Sequence, residues 1–207
     1  MKIVFTLDDV IRAKTHQIGK IYQKYVDPDI DLSSLDLSSG NMQEILGFKN
    51  KKEYDKWLYE DYPFEVFAEA VATEKYVDKK LNLWLLSLDD NEDIEEDVEV
   101  ALSNPYEYNA SIGFTYFFLS KIATRIREVF FPTDSNEIWK RCDVLITADP
   151  KLLKSKDDEN KIAIRIETDY NKDCQCDMSY RTLRELLDDE DFLNLFLFSL
   201  FFMLLII

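Results

Sequence analysis

Histidine, cysteine, glycine and proline are all scarce in this chain of 207 residues, and each scarcity excludes a class of protein. The single histidine, His16, argues against a histidine-rich metal site and against a serine-protease-like triad. Three cysteines, an odd number, do not form a disulfide framework, and we expect a cytoplasmic protein because the sequence opens without a signal-peptide pattern. Four glycines and five prolines exclude fibrous and loop-rich proteins.

Acidic residues outnumber basic ones, and the formal net charge is -16. Like-charge repulsion therefore argues against a nucleic-acid duplex or an anionic membrane surface as a partner. Hydrophobic residues make up 46% of the chain, which is enough for a substantial core. These figures predict a globular protein with a real core.

The C-terminal residues 191–207 form a hydrophobic tail, and from Phe192 onward no residue is charged. A helix over 192–207 would span about 24 Å, short of the roughly 30 Å hydrocarbon core of a membrane. Four interpretations stay open: a membrane anchor, an element packed on the domain, an oligomer contact, or an artefact of gene prediction. Membrane association is expected only through this segment.

The first ten residues, MKIVFTLDDV, predict a strand that ends in an acidic tip. Ile3 to Phe5 form a short apolar run, and the spacing of apolar residues from Asp9 to Val26 predicts a helix. A strand followed by a helix begins an α/β fold, in which ligands bind at the carboxyl ends of the strands. Asp8 is therefore a candidate site residue, although a helix cap explains Asp8 and Asp9 equally simply.

Residues 27–96 contain helical patterns and need no strand, so we predict an all-helical cap insertion there. Strands alternate with helices in the remainder, and the predicted strands are 2–6, 98–102, 127–131, 143–147 and 161–166, with a last helix from Ser179 to Leu187. Such alternation is typical of a parallel sheet. The predicted fold is α/β: a Rossmann-like core of about five parallel strands over residues 1–26 and 97–190, with the helical cap between them.

This arrangement resembles the haloacid dehalogenase (HAD) superfamily, in which a helical cap follows the first strand. The segment CDVLITADP, from Cys142 to Pro150, resembles the D-x-x-I-D-D-x-P motif of the 5'(3')-deoxyribonucleotidase branch. The later Asp169-Tyr170-Asn171 resembles the Pro-Tyr-Asn that follows in that branch. The likeness covers nearly the whole chain as architecture and the motifs only in part.

The resemblance implies a phosphatase chemistry in which an aspartate attacks phosphorus and a second acid, two residues later, protonates the leaving group. Thr6 stands at the nucleophile position, and Asp8 retains the acid/base position. A carboxylate pair would hold Mg²⁺, but Thr147 and Ala148 stand there, which leaves Asp8 and Asp149 as weak metal ligands. The motifs are therefore degenerate.

The phosphate-binding positions are retained in part. Ser103 stands at the hydroxyl position of the second motif, although Ser103-Asn104-Pro105 is equally well explained as a turn. The phosphate-binding lysine is assigned to Lys140, with Lys121 and Lys156 as further candidates.

The loss of the nucleophile together with both metal carboxylates favours a protein without catalysis over an enzyme. We therefore predict a HAD-like, nucleotidase-like protein that is catalytically impaired and serves binding or assembly, with an unidentified protein or a phosphorylated small molecule as its partner. The first alternative is an active Mg²⁺-dependent phosphomonoesterase similar to a 5'-nucleotidase. The second is a membrane-tethered accessory protein.

Overall fold

A parallel sheet of six strands, in the order β3-β2-β1-β4-β5-β6, forms the centre of the fold. The structure is a computed structural model, and it describes residues 1–89, 99–103, 109–190 and 192. The strands are β1 (Lys2–Thr6), β2 (Glu99–Ser103), β3 (Glu128–Phe130), β4 (Val144–Thr147), β5 (Ile162–Ile166) and β6 (Met178–Tyr180). All neighbouring pairs run parallel. The predicted α/β fold with a Rossmann-like sheet is confirmed.

Helices fill the connections between the strands. The α-helices are α1 (Lys14–Tyr25), α2 (Met42–Ile45), α3 (Lys51–Lys56), α4 (Val77–Asp89), α5 (Asn109–Ile122), α6 (Ser135–Lys140), α7 (Pro150–Lys154) and α8 (Leu183–Asp188). A 3-10 turn lies at Leu32–Ser34, and π-helical turns lie at Trp57–Asp61 and Phe64–Ala68.

Hydrophobic residues on both faces hold the sheet between two helical layers, because successive side chains of a strand point to opposite faces. In β1, Ile3 and Phe5 lie in one hydrophobic cluster and Val4 in the other. The first cluster joins the sheet to α4, α5 and α8, and the second joins it to α6 and α7. This burial on both faces explains why β1 and β4 are runs of apolar residues rather than alternating ones.

A third hydrophobic cluster lies in the N-terminal helical region and includes part of α1. Its buried members are Ile18, Ile21, Met42, Leu46, Trp57, Leu58, Tyr59, Val66 and Phe67. The packing thus divides the chain differently from the predicted boundaries of the cap. The helix α1 packs with the cap cluster, whereas α4, inside the predicted range 27–96, packs against the sheet.

Two local predictions are corrected by the structure. The predicted helix from Ser179 to Leu187 is a short strand, β6, followed by α8, and Thr182 caps α8 by accepting a hydrogen bond from the Glu185 backbone N–H. The first helix begins at Lys14 rather than at Asp9, because Asp9 has a φ of 58° and turns the chain. The described part of the range 27–96 contains no strand, and Ala72 pairs with Arg12 only in an isolated bridge.

Phe192 is the one residue of the hydrophobic tail 192–207 that the structure describes. Phe192 is fully buried and stacks on Trp84 of α4, with 5.7 Å between ring centroids. The other tail residues lie outside the described residues, so the four interpretations of the tail stay open. Within the described part of the chain, no helix is long and apolar enough to cross a membrane.

Trp84 and Leu83 are neighbours on α4 with opposite environments, 4% and 63% exposed. We expect Trp84→Ala to lower the free energy of unfolding by about 3–5 kcal/mol, because it removes a ring packed between Phe5 and Phe192. The matched control Leu83→Ala should change it by less than about 0.5 kcal/mol. Urea denaturation followed by circular dichroism measures both, and equal effects would contradict this assignment of the core.

Candidate functional site at the carboxyl ends of β1, β2 and β4

Three hydroxyl side chains lie in a row where the central strands end. Thr6 of β1 is in register with Ser103 of β2, and Thr147 ends β4 on the other side. The Thr6 hydroxyl donates a hydrogen bond to Thr147 Oγ1 at 3.0 Å. These residues are 2%, 0% and 0% exposed, respectively, so the row is closed to solvent. The structure therefore brings together Thr6 and Ser103, two of the predicted site residues.

In the part of the chain that the structure describes, the hydroxyl row makes no hydrogen bond to a group that could activate a nucleophile. Thr147 Oγ1 also accepts a hydrogen bond from the Asp149 backbone N–H at 3.0 Å, and Ser103 Oγ has no hydrogen-bond partner among the described residues. A threonine attacks phosphorus only when a base removes its proton. Among the described residues, the hydrogen-bond partners of the Thr6 hydroxyl are Thr147 Oγ1 and the Ile146 carbonyl oxygen, and neither is a base that could remove its proton.

The carboxylate of Asp8 is held by two cations. Arg12 donates to Asp8 Oδ1 from Nε at 2.7 Å and from Nη2 at 2.5 Å, and Lys14 Nζ lies 3.0 Å from Oδ2. Burial alone would raise the pKa of the Asp8 carboxyl, but the charges of Arg12 and Lys14 outweigh it and lower this pKa. Asp8 is therefore an ionised acceptor whose two oxygens are both engaged.

Arg12 is the buried centre of this region and is 0% exposed. Its Nη1 donates to the Phe67 carbonyl oxygen at 3.2 Å and to Thr115 Oγ1 at 3.0 Å. Its guanidinium carbon lies 5.3 Å and 5.6 Å from the ring centroids of Phe67 and Phe118. Arg12 thus connects the loop after β1 to the cap and to α5.

Sequence reasoning missed the role of Arg12. The spacing of four residues between Asp8 and Arg12 was visible, but within a predicted helix it indicates only an exposed ion pair. The partners that bury the guanidinium, Phe67 and Thr115, are 55 and 103 residues away in the chain. No local pattern in the sequence predicts these two contacts.

The carboxylate of Asp9 caps the first turn of α1 from a distance along the chain, since the helix begins at Lys14 and Ala13 occupies the N-cap position instead of the predicted Asp9. Its Oδ1 accepts a hydrogen bond from the Thr15 backbone N–H at 2.9 Å, and its Oδ2 accepts from Thr15 Oγ1 and from Tyr170 OH. Burial raises the pKa of the Asp9 carboxyl, and burial together with the Asp9 charge raises that of Tyr170. The cap therefore also ties the start of α1 to the loop after β5.

Asn171, in the segment that resembles the Pro-Tyr-Asn of the nucleotidase branch, is buried and ties two site loops together. Its Nδ2 donates to the carbonyl oxygens of Ala148 and Ile166, each at 2.9 Å. Its Oδ1 accepts a hydrogen bond from the Thr168 backbone N–H at 2.9 Å. The amide thus fixes the loops that follow β4 and β5 relative to each other.

The structure does not bring Lys140 to the hydroxyl row. Lys140 ends α6 just before β4 begins, so it lies at the amino edge of the sheet, opposite to the row. There it lines a cavity of about 330 Å³ together with Trp139 and Lys161. Of the other candidates, Lys121 donates to the carbonyl oxygens of Ala68 and Ala70, and Lys156 pairs with Asp177.

The donor groups near the hydroxyl row do not fit a magnesium ion. Mg²⁺ is bound through carboxylates in near-octahedral geometry, but Asp8 is paired with two cations, and Asp149 caps α7 by accepting from the Lys151 backbone N–H at 2.8 Å. Among the described residues, no group of three or more His, Cys, Asp or Glu side chains could hold a metal ion. We therefore derive no catalytic step through Mg²⁺.

Replacement of Arg12 should be costly because it leaves a partly buried carboxylate with only Lys14 as a partner. We expect Arg12→Met to lower the free energy of unfolding by about 3–5 kcal/mol. The double variant Arg12→Met/Asp8→Asn should lose less than the sum of the single changes, because removal of both charges leaves neither one buried alone. Guanidinium denaturation of the four proteins measures this coupling, and strict additivity would contradict it.

The lowered pKa of Asp8 predicts the pH dependence of its contribution. The pKa of Asp8 in the folded chain lies below the ordinary value of an aspartate, so the ionised carboxylate stabilises the fold above that ordinary value, and the contribution is lost as pH falls through the folded pKa. The loss of stability in Asp8→Asn should thus be larger at pH 7 than at about pH 3.

Denaturation of both proteins across this range is the measurement, and a cost independent of pH would contradict the prediction. Asp9 is present in both proteins, and its raised pKa acts with the opposite sign. Because the charge of Asp8 is a lesser cause of that rise, Asp8→Asn also relieves part of this opposing contribution. The exposed pair of Asp61 and Lys56 offers a control, and Asp61→Asn should cost at most about 1 kcal/mol.

Comparison with known proteins identifies the type of fold. No sequence family and no curated protein matches the chain. Its structure is similar to that of a protein from Burkholderia xenovorans LB400 described as a haloacid dehalogenase-like hydrolase, with a TM-score of 0.51 and 9% sequence identity. The match covers 93% of this chain and 97% of that chain. The chain therefore has the α/β fold of HAD-like hydrolases.

Proposed function

We propose that this chain uses the HAD-like fold for binding or assembly and does not hydrolyse phosphate esters. The observation that carries the proposal is the double ion pair of Asp8 with Arg12 and Lys14. A general acid in this position must hold a proton and release it to the leaving group. The lowered pKa of Asp8 leaves it without that proton near neutral pH.

The nucleophile position supports the same conclusion. Thr6 carries no charge, and its hydroxyl is buried and hydrogen-bonded to Thr147. A phosphoryl group would have to reach Thr6 Oγ1 within hydrogen-bond distance, which needs a rearrangement of the closed row. An aspartyl-phosphate cannot form on threonine, and among the described residues no base is hydrogen-bonded to the Thr6 hydroxyl that would make it a substitute nucleophile.

The competing function from the resemblance is a phosphomonoesterase acting on nucleotides with a rearranged site. It would use Asp8 as the acid and base, with Asp8 and Asp149 holding Mg²⁺. This function requires Asp8 to leave Arg12 and Lys14, and Asp149 to leave the N-terminus of α7. In the folded chain, Asp8 is already paired with Arg12 and Lys14, and Asp149 already accepts a hydrogen bond from the backbone of α7. These contacts compete with Mg²⁺ and favour the non-catalytic proposal.

A phosphatase assay tests the proposal directly. The full chain, with and without Mg²⁺, should release no more phosphate from p-nitrophenyl phosphate or nucleoside monophosphates than the matched Asp8→Asn variant. Thr6→Asp should also stay inactive, because Arg12 and Lys14 still hold Asp8. Inorganic phosphate released per mole of protein is the measurement.

Mg²⁺-dependent turnover that Asp8→Asn abolishes would overturn the proposal in favour of the esterase. Turnover that persists equally in Asp8→Asn marks a contaminant, and Asp149→Asn is a second control at the other predicted metal position. A calorimetric titration with Mg²⁺ should show no binding beyond a weak, nonspecific signal.

A further inference from the structure

Residues 29–41, between α1 and α2, form a largely exposed segment that we call the strap. Its partly buried hydrophobic residues pack against the cap cluster, and they are Ile30, Leu35 and Leu37. Its hydrogen bonds are mostly short-range turns, such as the one from the Ser33 backbone N–H to Asp31, and Gln23 of α1 donates to the Ile30 carbonyl oxygen. Among the described residues, no hydrogen bond joins the strap to the sheet or to the loops that follow the strands.

The strap meets the core where Gly40 packs against Tyr170, in the loop after β5. A Cβ placed on Gly40 would lie 3.0 Å from Tyr170 Cβ and 3.1 Å from Tyr170 Cγ, which is tighter than ordinary van der Waals contact. Gly40 also has a φ of 65°, a conformation that favours glycine. The strap backbone therefore rests directly on the first carbons of the Tyr170 side chain, with no room for another side chain between them.

Tyr170 is held in this position at both ends. Its hydroxyl donates a hydrogen bond to Asp9 Oδ2 at 2.8 Å. The next residue, Asn171, is 1% exposed and donates to the carbonyl oxygens of Ala148 and Ile166, which fixes the backbone beside Tyr170 Cβ. The strap has no comparable anchor on this side, so it is the partner that can separate from the contact.

We propose that the strap closes onto the core through the contact of Gly40 with Tyr170 and opens there locally, while the cap cluster and the sheet stay folded. Segments with few buried contacts and exposed hydrogen bonds open at a lower free energy than the rest of a fold. Opening uncovers the Tyr170 ring beside Asp9. It breaks none of the contacts of Arg12 or of the hydroxyl row, so the inference holds whether or not the site is catalytic.

Hydrogen exchange of the full chain, resolved on peptides by mass spectrometry, measures this opening. In the wild-type chain, the strap amides should exchange faster than those of β1 but slower than those of an unstructured peptide. Gly40→Ala should raise the exchange rate of the strap at least about tenfold, because the added Cβ pushes the strap away from Tyr170. The exchange of β1 should not change.

Gly47→Ala is the matched control. Gly47 has a φ of 74°, and a Cβ placed on it meets no atom of the described residues within 4 Å. The variant therefore introduces the same backbone strain without a clash, and the exchange rate of the strap should change by less than about threefold.

Tyr170→Gly adds a test of the contact itself, because it removes both carbons that Gly40 faces. In this background, Gly40→Ala should raise the exchange rate of the strap by less than about threefold, since nothing is left to clash. Circular dichroism checks the fold of each variant, and if Tyr170→Gly fails to fold, the comparison of Gly40→Ala with Gly47→Ala decides alone.

Three results would overturn the proposal. The first is equal strap exchange in Gly40→Ala and Gly47→Ala, because the contact with Tyr170 would then have no effect. The second is equal acceleration of β1 in Gly40→Ala, because opening would then be global unfolding. The third is an undiminished effect of Gly40→Ala in the Tyr170→Gly background.

Discussion

The ion pair of Asp8 with Arg12 is the interaction on which the architecture of the site depends. A guanidinium in the protein interior is tolerated only when its donors and its charge are satisfied. Asp8, the Phe67 carbonyl oxygen and Thr115 together satisfy it, and each belongs to a different part of the fold. A single side chain therefore contacts the loop after β1, the cap and α5 at once.

The fold does not depend on which polar residues stand at the strand ends, because hydrophobic packing, and not those residues, stabilises the sheet. Hydrophobic side chains on both faces of β1 and β4 set the register that aligns the strand ends. Polar residues at those ends contribute little to that register, so the hydroxyl side chains of Thr6 and Thr147 fit there without disturbing the sheet. The α/β fold of HAD-like hydrolases here encloses a row of hydroxyl groups.

The sequence was informative where the determinants are local. The apolar run and acidic tip of β1, the alternation of strands with helices and the cap by Asp9 could all be predicted, because short-range patterns determine them. The strand β6 was missed because its three residues, Met178–Tyr180, are too few for a period to show. The closure of the site and the displacement of Lys140 depend on tertiary contacts, which no window of the sequence contains.

The wide chain separation of the contacts made by Arg12 has a consequence for folding kinetics. Partners that are 55 and 103 residues apart from Arg12 cannot all be in place until the cap and α5 have both docked on the sheet. Contacts that form after the transition state slow unfolding without speeding folding. We therefore expect the contacts of the Arg12 guanidinium to form late in folding, to lower the unfolding rate and so to lengthen the lifetime of the native state.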